Sequence, residues 1–147
     1  MPAPMLAPKK HLDNNRLHVS HEHINAAIRW LSEVSSSDKW DLNIVQQAKL
    51  LGIKERTYKN WKKKAFEGGV IELSKDTQDR LSFLLGIMKG LKMIAPQNRS
   101  ELAYEWFKSP NKNPVFEGSS IRDYLLEEGS MVSMFNARNY LDFVRGS

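Results

Sequence analysis

The stretch LLGIKERTYKNWKKKA, from Leu50 to Ala65, gathers five lysines, an arginine and an asparagine around a tyrosine and a tryptophan. Wound as a helix, it divides into two faces. Tyr58, Trp61 and Ala65 fall on one, and Arg56, Lys59, Asn60 and Lys63 on the opposite arc. The polar arc has a definite chemistry. A guanidinium bonds guanine O6 and N7 together, a carboxamide bonds adenine N6 and N7, and lysines neutralise phosphates. Lys54 and Thr57 complete the candidate DNA-contacting set. A basic run alone is more often a solvated face, but this one is local. Between Lys49 and Lys64 there are seven basic residues and one acid, a net +6 against +5 for the whole chain. One polyanion-facing surface is therefore expected.

The elements that must hold this arc are written just upstream. Ala48 is small enough for a second helix to cross close over the first, and Gly52 can take the positive φ of a tight turn. Ile53, Tyr58 and Trp61 can then fill the wedge between the two helices. This is the spacing of a helix-turn-helix, whose second helix enters the major groove. Lys54 is a poor N-cap for that helix, partly offset by Glu55 in its first turn.

Other chemistry-bearing residues form no set. His18, His21 and His23 are spaced as metal ligands can be, but no cysteine or fixed carboxylate joins them, so a solvated helix start is the better reading. Glu101, Glu105, Glu127 and Glu128 have no nucleophile, phosphate loop or metal set beside them and read as surface charge. No enzyme and no cofactor are expected. The absence of cysteine fits a reducing cytoplasm. No apolar run approaches the roughly 18 residues of a membrane span. Met1–Lys10, with three prolines, lacks the apolar block of a signal peptide, and residues 1–17 read as a flexible tail.

The remaining pattern is helical. Ser20 can cap a helix striped with Ile24, Ala27, Ile28 and Leu31, and Asp41 or Asn43 the next. Gly68-Gly69 breaks the pattern before a briefly extended Val70–Leu73. Ser74 opens a long helix stopped by Pro96, with Gly86 and Gly90 making a face for close packing or a dimer seam. Ser100 opens a short helix to Phe107, Ser119 or Ser120 one that ends at Gly129, and Ser130 the last, which reaches Arg145. No segment alternates as a strand, so the expected fold is all-α. The boundary near Gly68 separates a helix-turn-helix bundle over 18–68 from a small helical domain over 73–147.

The second domain carries an ordered set of residues: Ala103, Trp106, Pro110-Asn111, Phe116, Gly118, Asp123 and Leu125, closing with Arg138, Tyr140-Leu141-Asp142 and Arg145-Gly146. From about Leu73 to Gly146 the chain resembles the toxin-binding domain of the Xre/MbcA/ParS antitoxins, in which a helix-turn-helix also precedes that domain. The resemblance implies a type II antitoxin that clamps a RES-domain toxin, blocks the toxin's NAD pocket and represses its own operon. It also implies a homodimer, within a larger toxin–antitoxin complex, on a palindromic operator. Phe107, Pro110, Asn111, Phe116, Arg138, Tyr140 and Arg145 are the candidate toxin contacts.

The residues themselves add detail. Prolines and a glycine around Phe116 suit a partner-facing loop. Arg138 and Arg145, seven apart, share a helix face from which cations can reach a pyrophosphate pocket. Trp106 reads as core. The competing reading is a helix-turn-helix regulator whose C-terminal half only dimerises or senses another partner.

Overall fold

A computed structural model describes residues 20–146; the tail read over residues 1–17, and His18, lie outside the described residues. Among the described residues there are seven α-helices: α1 (His21–Val34), α2 (Ile44–Leu51), α3 (Glu55–Glu67), α4 (Lys75–Ile94), α5 (Leu102–Lys108), α6 (Ile121–Glu128) and α7 (Met131–Gly146). Short 3₁₀ turns at Gln97–Arg99 and Pro114–Phe116 flank α5. Among the described residues there is no strand, only one antiparallel bridge between Pro110 and Ser120. The protein is all-α.

Local chemistry sets most helix starts. The side chains of Ser20, Asn43, Ser74 and Ser120 each accept a backbone N–H of the first turn of α1, α2, α4 and α6. At α2 the bond is reciprocated by Gln46, closing a capping box. Ser130 does the same for Ser133 at the head of α7. The exceptions are α3, which has no side-chain cap bond, and α5. Ser100 already has helical backbone angles because the preceding 3₁₀ turn runs into it, so the helix begins at Leu102 rather than on a serine cap.

Packing joins the whole described chain. A continuous core runs from Ile24 in α1 to Leu141 in α7. At its centre the buried Trp40 stacks on Phe107, with ring centroids 3.9 Å apart and planes 11° from parallel, and Trp30 meets Trp40 edge-on. Two arginines bind distant turns together. Arg122 Nε donates to the carbonyls of Trp40 and Asp41, and its Nη2 donates to Asp41 at 2.6 Å. Arg80 Nη1 donates to Leu50 O at the end of α2 and to Gly129 O at the end of α6. These bonds satisfy carbonyls that helix ends and a positive-φ Asp41 would otherwise leave unpaired.

The long α4 and α7 lie side by side. Phe83 meets Phe135, Gly86 faces Arg138, Gly90 faces Leu141, and Met93 meets Arg145. Successive contacts advance the same way on both, so the two helices run parallel. A Cβ at Gly86 would collide with the Arg138 guanidinium, and one at Gly90 would press on Leu141. The two glycines thus serve a packing contact within the chain.

Candidate functional site

Two surfaces gather the residues singled out above. The first is α3. Its N-terminus follows a three-residue turn, Gly52-Ile53-Lys54, in which Gly52 has φ +70° and any Cβ would touch Arg80. Lys54 occupies the N-cap with no side-chain bond to the helix, as its residue type implies. Tyr58 and Ala65 are fully buried, while Ile53 and Trp61 pack half-buried against the core.

A polar relay locks the angle between α2 and α3. The Tyr58 hydroxyl donates to Gln47 Oε1 at 2.6 Å, and Gln47 Nε2 donates to Leu42 O at 2.8 Å. Burial pushes the Tyr58 phenol far above its ordinary range, so it stays a neutral donor. The far end of α3 is fastened from α1. Arg29 Nη1 donates to Ala65 O and Asn25 Nδ2 to Gly69 O, both at 2.8 Å.

With one face so held, the other is presented. Arg56, Lys59, Asn60 and Lys63 are all exposed on it, Lys54 is exposed at its head, and Thr57 is half-buried at its edge. Lys59 is tied to Glu55 by an ion pair of 2.7 Å. Both partners are solvent-exposed, so the pair is worth well under about 1 kcal/mol and gives way readily to a competing anion.

The second surface is a cleft of about 530 Å³ between the end of α4, the Ser109–Asn113 loop and α7. Leu91, Ile94, Leu141 and Val144 supply its apolar lining, with Trp106 and Tyr140 among its walls and Pro110, Asn111, Lys112 and Asn113 along the loop. The loop is stiff. Asn111 Nδ2 donates to the Tyr140 hydroxyl at 3.1 Å, Asn111 Oδ1 accepts from Asn113 N, Asn113 Oδ1 accepts from Val115 N, and Asn111 N donates to Ser119 O.

The seven candidate toxin contacts therefore separate into three groups. Pro110, Asn111 and Tyr140 line the cleft. Arg138 and Arg145 sit on the flank of α7 that faces α4, sharing Asp142 at 3.4 and 3.5 Å, with Arg145 Nη1 also 3.3 Å from Met93 Sδ. Phe107 and Phe116 are buried. Phe116 does not face outward as its loop position implied. Its ring is gripped edge-on by Tyr124 and Tyr140, each 5.1 Å away, because burying a large apolar ring outweighs leaving it on a loop tip.

Sequence reasoning missed the exposure of Trp106 to the cleft, and the parts played by Lys112 and Asn113. The position of Trp106 beside Pro110-Asn111 in the ordered set was the available signal. His21 and His23 are exposed on the first turn of α1, and His23 Nδ1 lies 3.1 Å from Ser20 Oγ.

Comparison with known proteins places the chain by kinship. The uncharacterized protein y4oB of Sinorhizobium fredii (strain NBRC 101917 / NGR234) is 39% identical to it over 111 residues, 75% of this chain and 78% of that protein. The chain belongs to the y4oB family. Wherever it begins, a match of that length takes in α2, α3 and α4. No protein-family model matches the sequence, and no solved structure matches it.

Proposed function

We propose that the protein is an antitoxin-type repressor. In this reading α2 and α3 form a helix-turn-helix that binds operator DNA, and the C-terminal half binds and silences a RES-type, NAD-degrading toxin. The observation that carries the reading is the presentation of α3. One face is locked by Tyr58, Gln47, Arg29 and Asn25, and the other offers Arg56, Lys59, Asn60 and Lys63 on one arc. A rigid helix with forked and amide donors on its free face is what direct major-groove readout requires. The resemblance over Leu73–Gly146 supports the toxin-binding part, and the cleft with the Arg138–Asp142–Arg145 ladder beside it gives that part a surface to act through.

The division of labour follows from the chemistry. Arg56 and Asn60 read base edges, while Lys54, Thr57, Lys59 and Lys63 hold the backbone and make binding salt-dependent. On the toxin, Arg138 and Arg145 occupy the place of a substrate phosphate contact, and the loop beside Tyr140 gives the shape fit. A homodimer matches a palindromic operator, and repression is strongest with the toxin bound.

Co-expression with a RES-domain toxin tests the reading, scored by growth and by co-purification. Rescue of growth with a stable complex is the expected result; a toxic culture and no complex is the contrary one. The cleft favours a second reading, a regulator whose C-terminal half senses another partner, since its volume lies within the range of small-molecule sites. That reading predicts operator binding with no effect on the toxin.

A further inference from the structure

α3 carries three aromatic residues, and the fold treats them differently. Tyr58 is buried and Trp61 packs half-buried against the core, but Phe66 is 58% exposed. Phe66 belongs neither to the core nor to the partly buried residues packed against it. Around the helix, at about 100° per residue, Phe66 falls about 20° from Lys59 and about 60° from Lys63. The ring therefore stands on the flank of the arc that offers Arg56, Lys59, Asn60 and Lys63. Glu67, also exposed, falls about 20° from Arg56, on the arc itself.

The surroundings of Phe66 decide what can cover it. Lys59 and Lys63 are exposed on its side of the helix, and Lys62 lies 5.9 Å over the Tyr58 ring. A second copy of this face would bring lysines against lysines, whereas a polyanion is attracted to it. A phenyl ring has no hydrogen bond to give a phosphate, and a carboxylate is repelled by one. Both find partners on base edges. An apolar side chain meets the thymine methyl, and a carboxylate accepts from the cytosine amino group.

We propose that Phe66 is a specificity-determining residue that packs on a thymine methyl group in the major groove, with Glu67 facing the neighbouring bases. The thymine methyl stands at the edge of the groove, close to the backbone of its own strand. A ring that meets it belongs on the flank of the reading helix, in line with a lysine that holds that backbone, as Phe66 is with Lys59. From Arg56 to Phe66 the helix rises about 15 Å, or roughly four base-pair steps of ~3.4 Å. Contact at both ends requires α3 to lie along the groove rather than to enter it by its first turns only. This inference deepens the operator-reading part of the proposed function and rests on it.

Two synthetic versions of the DNA upstream of the coding region test it, one with thymine and one with uracil throughout, so that they differ only in the 5-methyl group. Fluorescence anisotropy gives the affinity of the intact chain and its variants for both, with thermal melts and sedimentation following fold and oligomeric state. The wild type should bind the thymine duplex about fourfold or more tighter than the uracil duplex, about the worth of one buried methyl group. Phe66→Ala should lose that margin and bind the uracil duplex nearly as the wild type does, while Phe66→Leu keeps part of it. Arg56→Ala should weaken both duplexes alike and leave their ratio unchanged. An equal ratio in wild type and Phe66→Ala overturns the inference while operator binding stands. So does a Phe66→Ala variant that changes oligomeric state at an unchanged ratio, which assigns the ring to a protein contact. A wild type with no preference for the upstream duplex over a shuffled one overturns the operator reading, and this inference with it.

Discussion

The free face of α3 and the cleft beside α7 are built on opposite plans. The first comes from a single helix of 13 residues, with its donors spaced by helical periodicity alone. The second is assembled from α4, α5, a loop, α6 and α7, with lining residues spread from Leu91 to Val144. A one-helix surface tolerates change at each exposed residue, because each acts through its own contact. A cleft of many elements depends on the core behind it. The two plans make different predictions about what mutation does.

The largest effect should come from the core that both regions share. Phe107→Ala removes a ring stacked on Trp40 and should cost about 3–5 kcal/mol, a large part of the stability of a small domain. A denaturant titration measures it. DNA binding and toxin binding should fall together, through unfolding. If Phe107→Ala were as stable as the wild type and lost only the toxin, the ring would be a contact residue and the comparison would be drawn in the wrong place.

Next in size is the link between regions. Arg122→Ala strands the carbonyls of Trp40 and Asp41, and should cost about 1–3 kcal/mol although Arg122 touches neither surface. Thermal melts with DNA-binding assays sharpen the comparison here. The melting temperature should drop while the affinity of the still-folded protein for DNA stays close to wild type.

Changes on the free face of α3 should reverse that pattern. Arg56→Ala or Asn60→Ala should each weaken operator binding by about 1–3 kcal/mol and relax sequence preference, with the melting temperature within error of wild type. The smallest effect belongs to Glu55→Ala. Losing an exposed ion pair changes stability by less than about 1 kcal/mol, and freeing Lys59 with removal of one negative charge should slightly raise affinity for all DNA sequences. Fluorescence anisotropy at two salt concentrations detects it, and weaker binding would mean that Glu55 orients Lys59 for contact.

What the sequence made legible follows the same divide. Ser20, Asn43, Ser74 and Ser120 are local caps, readable because a short polar side chain bonds a backbone three residues on. The α3 arc was readable from its period, and Gly52 from the turn's need for positive φ. Phe116 was read as outward because loops lie on surfaces. Its burial depends on Tyr124 and Tyr140, which come from two later helices. Trp40 and Phe107 are 67 positions apart, and nothing local announces their stack. Arg122, in the same way, finds carbonyls about 80 residues before it. Such pairs exist only once the tertiary fold has brought them together.

The central claim is that α3 reads DNA rather than merely carrying charge. Its most direct test is the affinity of the intact chain for the DNA upstream of its own coding region, measured beside a shuffled duplex of equal length, with and without Arg56→Ala and Asn60→Ala. The account predicts tighter binding to the upstream DNA. It also predicts that each substitution removes most of that margin and leaves the weaker, salt-dependent binding to shuffled DNA nearly unchanged. Equal affinity for both duplexes, unaltered by either substitution, would contradict it.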